Sequence, residues 1–326
     1  MEILLGFVKA QSMKAAIELG IPEFLAEGPK TIEEVSAHCR SDQQVTARLL
    51  RCLSSVGLAA EVSRGTFAAT DLTAAIQESA PGNIAAYVRF SCRLAYPAAA
   101  FLTDVVRTGD TGSSFVRAHG KSFFELLGED AEAGEEFDAA MAASSTGFTE
   151  GFMALDWSDV AVAVDVGGGN GALLRSLLSA HGHLRGILCE RPNVLAQART
   201  RLSEGGLLDR CKLRECDFFK DDLPVGDVYC LARILHDWDD TAAAEILRRV
   251  RAAIPAHGRL LIAEQVLPEG PEPHWTKTYD LYLGLLLPGN ERNRSGWEAL
   301  LASTGFWLEN ITPAGWRCQL LTCVPQ

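Results

Sequence analysis

Positive charge is scarce in this sequence: 30 Lys and Arg stand against 42 Asp and Glu over 326 residues, a formal net charge of −12. Surfaces that hold nucleic acid or an anionic membrane carry the opposite balance, so neither partner is expected. No apolar run approaches the length of a membrane span. The opening stretch MEILLGFVKAQSMKAAIELG has an acidic second residue and no small-residue cleavage site behind an apolar block, so no secretory signal is expected. Nine cysteines are present, yet none forms a CxxC pair or joins a Cys/His cluster with zinc spacing. Reduced thiols in a cytoplasmic protein without a metal are the expectation. A Gly-Lys-Ser/Thr after a glycine turn is also missing, which excludes a phosphate-binding P-loop.

What is present suits a packed protein of more than one domain: 48% of residues are hydrophobic and 22% charged. Residues 1–95 read as helical, with apolar positions three and four apart through VKAQSMKAAIELGIPEFLAEG and QQVTARLLRCLSSVGLAAEV. Thr31 with Glu34 forms a capping box, and Ser41 or Asp42 opens the next helix. That helix stops at Gly57, and the ribbon LAAEVSRGTFAAT follows. Three helices and a small hairpin make a winged-helix-like unit. Its nine basic and ten acidic residues leave a net of −1, which favours packing or dimerisation over DNA reading. Residues 96–155 continue as a helical connector, where Phe137 and Met141 share one helical face. Such a stripe fits core packing at least as well as a ligand pocket.

Residues 156–326 change pattern. AVAVDV, RGILCE, CKLREC, DVYCLARI and GRLLIAEQV alternate with helical stretches, which predicts a Rossmann-like parallel sheet covered on both faces. Ligands sit at the carboxyl ends of such strands. The first strand carries Asp165 and runs into Gly167, Gly169 and Gly171, whose bare backbone and following helix N-terminus suit a close ligand. The glycines alone leave a dinucleotide and S-adenosylmethionine both open. Glu190, ending the second strand, has the chemistry to hold the two hydroxyls of an adenosine ribose. Asp217 and Phe218, after the third, suit an adenine amino group and its ring face; capping a turn and filling core is the plainer role for the same pair.

The fourth strand leads to His236, followed by Asp237, Trp238, Asp239 and Asp240. This acidic run is expected to raise the histidine pKa, with an aromatic wall beside the ring. Glu264 ends the fifth strand and Glu291 lies in the loop of LLLPGNERN. A histidine oriented by carboxylates is a general-base arrangement.

With these motifs in hand, the chain resembles the S-adenosylmethionine-dependent small-molecule O-methyltransferases of the caffeic-acid, hydroxyindole and bacterial polyketide-tailoring type. DVGGGNG, CERP, RILHDWDD, AEQVLP, YDLYL and GNERNRSGWEALLASTGF match that family's landmarks in order, and the likeness covers essentially the whole chain. It implies a class I methyltransferase domain over 156–326, a helical dimerisation domain over 1–95, and a homodimer. By position, His236 matches the general base and Glu264 and Glu291 its orienting acids; Phe137, Met141, Tyr282 and Leu286 match the lining of the acceptor pocket. Departures include a ribose acid that is Glu where Asp is common, Ala232 where some members place a lysine, and an Asn293 and Arg233 without assigned roles. The expected reaction is methyl transfer to a hydroxyl of an aromatic or polyketide-like acceptor, without a metal. Relatives that use the same cofactor for decarboxylation, hydroxylation or pericyclic closure are the alternative, and a ligand-sensing DNA-binding regulator is a further one.

Overall fold

A computed structural model describes residues 1–80, 84–145, 147–315 and 317–326, and the side chains of 142–145 fall outside that description. Two compact units emerge: Met1–Pro97 with Phe124–Ala143, and Ala98–Phe123 with Ser144–Gln326.

The first unit opens with the helices Gly6–Glu18, Ile21–Ala26, Ile32–Cys39 and Gln43–Ser55. The third begins where Thr31 accepts from the Glu34 backbone at 3.2 Å while the Glu34 carboxylate takes the Thr31 N–H at 2.7 Å. This is the expected capping box, which satisfies two helix-end donors at once. Asp42, rather than Ser41, caps the fourth helix by accepting from Val45 N–H at 2.9 Å. Ala60–Ser63 and Thr66–Ala68 form a hairpin, and Lys30–Thr31 adds a third short strand beside the second. Ile21, Leu25, Val35, Leu50, Leu53 and Phe67 close a core between helices and ribbon. Each fully buried side chain of this kind contributes roughly 1.5–3 kcal/mol.

The second unit is built on a seven-stranded sheet. Its strands are β1 (Val162–Val166), β2 (Arg185–Glu190), β3 (Cys211–Glu215), β4 (Val228–Ala232), β5 (Arg259–Glu264), β6 (Phe306–Gly315) and β7 (Cys318–Pro325). They lie in the order β6-β7-β5-β4-β1-β2-β3. β1 to β5 are parallel, as the alternating pattern predicts. The sheet is nevertheless mixed, because β7 pairs antiparallel with both β5 and β6. The final pair corrects the all-parallel expectation: β6 and β7 form a hairpin, which needs no crossover helix to announce it.

The strands are apolar on both faces because both faces are covered. Val164, Val166, Tyr229, Leu231, Leu260 and Ile262 pack into one layer with residues of the helices Asp240–Ala253 and Arg294–Ala302. Ala163, Leu188, Cys230, Leu261 and Ala263 pack into the other with the helices Ala172–Ala180 and Pro192–Glu204. The order reverses direction between β1 and β4, and the carboxyl ends on either side of that reversal carry the glycine turn, Glu190, Asp217, His236 and Glu264. Among the described residues, no helix is long and apolar enough to cross a membrane.

Candidate active site

β1 ends in a turn where Gly167, Gly169 and Gly171 adopt φ of 70°, 56° and 74°, a region costly for any side chain. A Cβ on Gly169 would meet nothing within 4 Å, so this backbone faces open space. The tightest approach is at Gly168, which sequence spacing does not single out: a Cβ there would overlap the Asp165 carboxylate and come within 2.6 Å of Leu188 Cδ1. Glu190 accepts from Gly169 N–H at 3.1 Å and from Arg191 N–H at 2.8 Å, which ties the end of β2 to the turn. Asp165 is 1% exposed, and neither carboxylate oxygen has a hydrogen-bond partner among the described residues. Burial first, then the charge of Glu190, pushes its pKa up to about 7.

Beyond β3, Asp217 accepts from Phe219 N–H at 3.0 Å and pairs with Lys220 at 2.8 Å, and that bond to Lys220 is the main cause of its lowered pKa. The turn-capping role and an exposed carboxylate therefore coexist in one residue. Phe218 packs edge-on to Phe219 and Trp238, and its Cε1 would lie 3.6 Å from a Cβ on Gly167. The strand ends thus offer a bare backbone, an orphaned buried acid, a carboxylate beside the turn and an aromatic face. This set fits a cationic amino-acid group joined to an adenosine, which is the outline of S-adenosylmethionine.

Across the reversal, β4 breaks at Arg233, whose φ of 56° is left-handed and rare for a side chain of this size. The chain then turns through Leu235–Asp237, and His236 is 2% exposed. Glu264 Oε1, at the end of β5, accepts the backbone N–H groups of Ile234 and Leu235 at 3.0 Å each and of His236 at 3.3 Å. One carboxylate oxygen thereby fixes the whole turn. Its other oxygen lies 3.5 Å from His236 Nδ1. Glu291 Oε1 is closer to the same nitrogen, at 2.9 Å, while Asp237 Oδ1 lies 3.4 Å from Nε2.

The expected rise in the histidine pKa is corrected by the structure. Burial outweighs the opposing charges of Glu264 and Asp237, so the pKa of His236 is lowered. Asp239 is spent capping a helix through Ala242 N–H at 2.8 Å, and Asp240 binds Arg292 at 2.8 Å. Burial also raises Glu291 to about 8, Asp237 to about 6, and Glu264 above its ordinary value.

Other residues at this end escape motif reading. Arg292, 3% exposed, donates to Leu235 O at 2.9 Å and Trp238 O at 2.8 Å, clamping the turn on both sides of the histidine. Gly289 lies so close beneath that turn that a Cβ would collide with the His236 carbonyl. Asp280 accepts Glu291 N–H at 2.7 Å. Asn293 accepts from Gly296 N–H at 2.8 Å, which makes it the cap of the helix Arg294–Ala302. Trp275, Tyr279 and Tyr282 fall at helical spacing, with successive ring centroids 5.6 and 5.5 Å apart, a periodic signal visible in the sequence. Tyr282 and the buried Leu286 lie on this helix, Trp275–Leu286. Phe137 and Met141 sit half-buried on Ala131–Ser145 in the first unit, with Phe137 tilted against Phe90 at 5.5 Å.

His236, Glu264 and Glu291 each present an atom within 4.8 Å of the others, a spacing compatible with a metal ion. In this geometry Glu264 Oε1 is already engaged by three backbone donors and Glu291 Oε1 by the imidazole, which is the bonding of an oriented base.

Known proteins resemble this chain over nearly its whole length. A family model for an O-methyltransferase domain matches residues 100–307, and one for an O-methyltransferase dimerisation domain matches 1–79. The phenazine O-methyltransferase PhzM of Lysobacter antibioticus is 37% identical over 314 residues, covering 96% of this chain and 92% of that protein. The mitomycin biosynthesis 6-O-methyltransferase of Streptomyces lavendulae is 39% identical over 319 residues, covering 96% and 90%. The solved structure of NcsB1, an O-methyltransferase from neocarzinostatin biosynthesis in complex with S-adenosylmethionine and 2-hydroxy-5-methyl naphthoic acid, superposes with a TM-score of 0.83 at 27% identity, covering 97% and 96%.

Proposed function

This chain belongs to the O-methyltransferase family, and we propose that within it His236 is the general base for methylation of an aromatic hydroxyl. The protein is an enzyme that uses S-adenosylmethionine, whose sulfonium-bound methyl group is electrophilic as supplied. The residues suited to hold that cofactor are Asp165, Gly167, Gly169, Gly171, Glu190, Asp217 and Phe218.

The task left to the chain is to position an oxygen and take its proton. A phenol with a pKa near ~10 is mostly protonated at neutral pH, so a positioned base contributes roughly 10²–10⁴-fold. His236 Nε2 would accept that proton while Glu291 and Glu264, both on the Nδ1 side, stabilise the imidazolium. The observation that carries this reading is the 2.9 Å contact of Nδ1 with Glu291 Oε1 in a ring held by its own backbone. Tyr282 and Leu286 are assigned to the acceptor; for Phe137 and Met141 the same assignment rests on the family resemblance alone.

Residues 1–95 are read as the pairing domain of a cytoplasmic homodimer and not as a nucleic-acid face, with 96–155 the connector and 156–326 the catalytic domain. Support comes from the dimerisation-family match and from the apolar side chains the first helix region exposes, Ile3 at 97%, Leu4 at 66% and Phe7 at 51%. The relatives' substrates suggest a fused aromatic natural product as acceptor. A screen of hydroxylated phenazines, quinones and naphthoic acids, scored by S-adenosylhomocysteine release together with a product one CH₂ heavier, tests the reading. A product formed without that release would assign the chain to the non-methylating relatives.

A further inference from the structure

His236 has one N–H to place when neutral, and carboxylates compete for it from both edges of the ring. Glu291 and Glu264 face Nδ1 at 2.9 and 3.5 Å; Asp237 faces Nε2 at 3.4 Å. If Asp237 takes the proton's hydrogen bond, Nε2 is an N–H and has no lone pair for a substrate hydroxyl. Something must tip the ring toward the Nδ1–H form.

Gln265 is placed to do so. It follows Glu264 directly, and a short parallel pairing of Val266–Leu267 with Arg292–Asn293 brings Glu291 alongside it. The side chain is 4% exposed. With its amide nitrogen toward Glu291 it donates to Oε1 at 3.1 Å, and its oxygen accepts from Arg233 Nη1 at 3.1 Å. The opposite orientation would press oxygen on carboxylate and NH₂ on guanidinium, so only the first satisfies both neighbours. Arg233 is itself anchored: its Nη2 donates to Tyr279 Oη at 2.7 Å, its N–H to Ala263 O at 2.9 Å. A left-handed backbone at Arg233 turns the side chain to this task.

The polarity of the chain of bonds follows. Arg233 can only donate, so the Gln265 oxygen accepts and its nitrogen donates. Glu291 Oε1 then accepts from Gln265, and that same oxygen is the one facing Nδ1. The Gln265 N–H on Oε1 and the charge of Arg233 both favour the ionised form of Glu291 against its burial, and an ionised Oε1 accepts from the imidazole, so the shared hydrogen belongs to Nδ1. We propose that Arg233 and Gln265 are a positioning pair that fixes the tautomer of His236, leaving Nε2 bare on the reacting side. The proposal rests on His236 being the base, and it concerns residues that act on the ring through Glu291.

Ring-¹⁵N-histidine labelling separates the two ideas, because the tautomer is read without turnover. The cofactor-loaded protein, with the His236 signal assigned from its loss in His236→Gln, is expected to show a protonated Nδ1 and a bare Nε2. Gln265→Met keeps the volume and removes the donor; Gln265→Glu keeps the shape and replaces the donor by an acceptor. Either variant is expected to move the ring toward Nε2–H, and Gln265→Glu decides if the methionine variant does not fold. With a hydroxylated naphthoic acid as acceptor probe, kcat should fall roughly 10²-fold with KM little changed. Arg233→Lys, which lacks the two-pronged fork, is expected to give a mixture of tautomers. A wild-type ring already in the Nε2–H form, or variants that keep Nδ1–H, overturns the pair. A shifted tautomer with unchanged turnover supports the pair and removes His236 as the base instead.

Discussion

His236 and Glu291 stand 55 residues apart in the chain and 2.9 Å apart at Nδ1 and Oε1. Their meeting depends on Glu264, which knots the backbone beneath the ring, and on Asp280, which holds the backbone N–H of Glu291. His236→Ala removes the proposed proton acceptor. Turnover should drop roughly 10²–10⁴-fold while S-adenosylmethionine affinity, measured by calorimetry, stays within a factor of about two. Retained S-adenosylhomocysteine release would remove the histidine from the mechanism.

The pH dependence has a definite sign. Burial lowers the His236 pKa, so the neutral, basic form persists into more acidic solution than for an ordinary histidine. kcat/KM should therefore rise with pH and level off below the usual histidine value of about 6.5. A midpoint above that value would mean that the surrounding carboxylates, not burial, govern the ring.

Asp165 gives the opposite handle on stability. Its pKa is raised from 3.8 to about 7, so the folded protein binds the proton more tightly than the unfolded chain. That contribution is fully present below pH 3.8 and is lost as pH rises toward 7. At about 1.4 kcal/mol per pH unit, the loss approaches ~4 kcal/mol. Thermal melts of the cofactor-free protein should show a decline from pH 5 to 8, and Asp165→Asn should flatten it. Identical slopes would mean the acid has found a partner in solution.

Gly289→Ala probes the floor of the turn. A methyl group there cannot coexist with the His236 carbonyl and Trp238 nitrogen in their present places. The variant should lose roughly 1–3 kcal/mol of stability. Its activity should fall further than its cofactor affinity, since Glu190 and Asp217 lie on other strand ends. Equal losses of both would show the two ends to be coupled.

Chelation tests the metal-free reading of the carboxylate cluster. Turnover after dialysis against EDTA should match that of the untreated enzyme, and added zinc ion should inhibit by competing for the imidazole and carboxylates. Activity lost on chelation and restored by a divalent ion would convert His236, Glu264 and Glu291 into ligands.

Much of this was legible beforehand, for identifiable reasons. The five parallel strands announce themselves by short apolar runs between helical stretches, and the glycine turn, Glu190, Asp217 and His236 fall at their ends. Local rules placed the Thr31–Glu34 box because its partners are three residues apart. What local rules cannot carry is burial and approach. The acids after His236 count as charges in the sequence, yet Asp239 and Asp240 turn away to a helix cap and to Arg292. Burial then decides the sign of the histidine shift. Gly168, Gly289 and the Arg233–Gln265 pair are invisible for the same reason: each matters through a neighbour brought near only by tertiary structure.

The reversal of strand order between β1 and β4 has a consequence for how such an enzyme diversifies. The groups proposed to hold the cofactor come from the ends of β1, β2 and β3, whereas the proposed base and its acids come from the ends of β4 and β5 and the loop before Arg292. Helix Trp275–Leu286, which carries Tyr282 and Leu286, meets the second half through Tyr279 on Arg233 and Asp280 on Glu291. On the proposed assignment, Tyr282 and Leu286 could be exchanged for a new acceptor while Tyr279 and Asp280 keep their bonds to Arg233 and Glu291. Under that assignment, a change of acceptor would fall on one side of the strand reversal and leave the other side's groups in place.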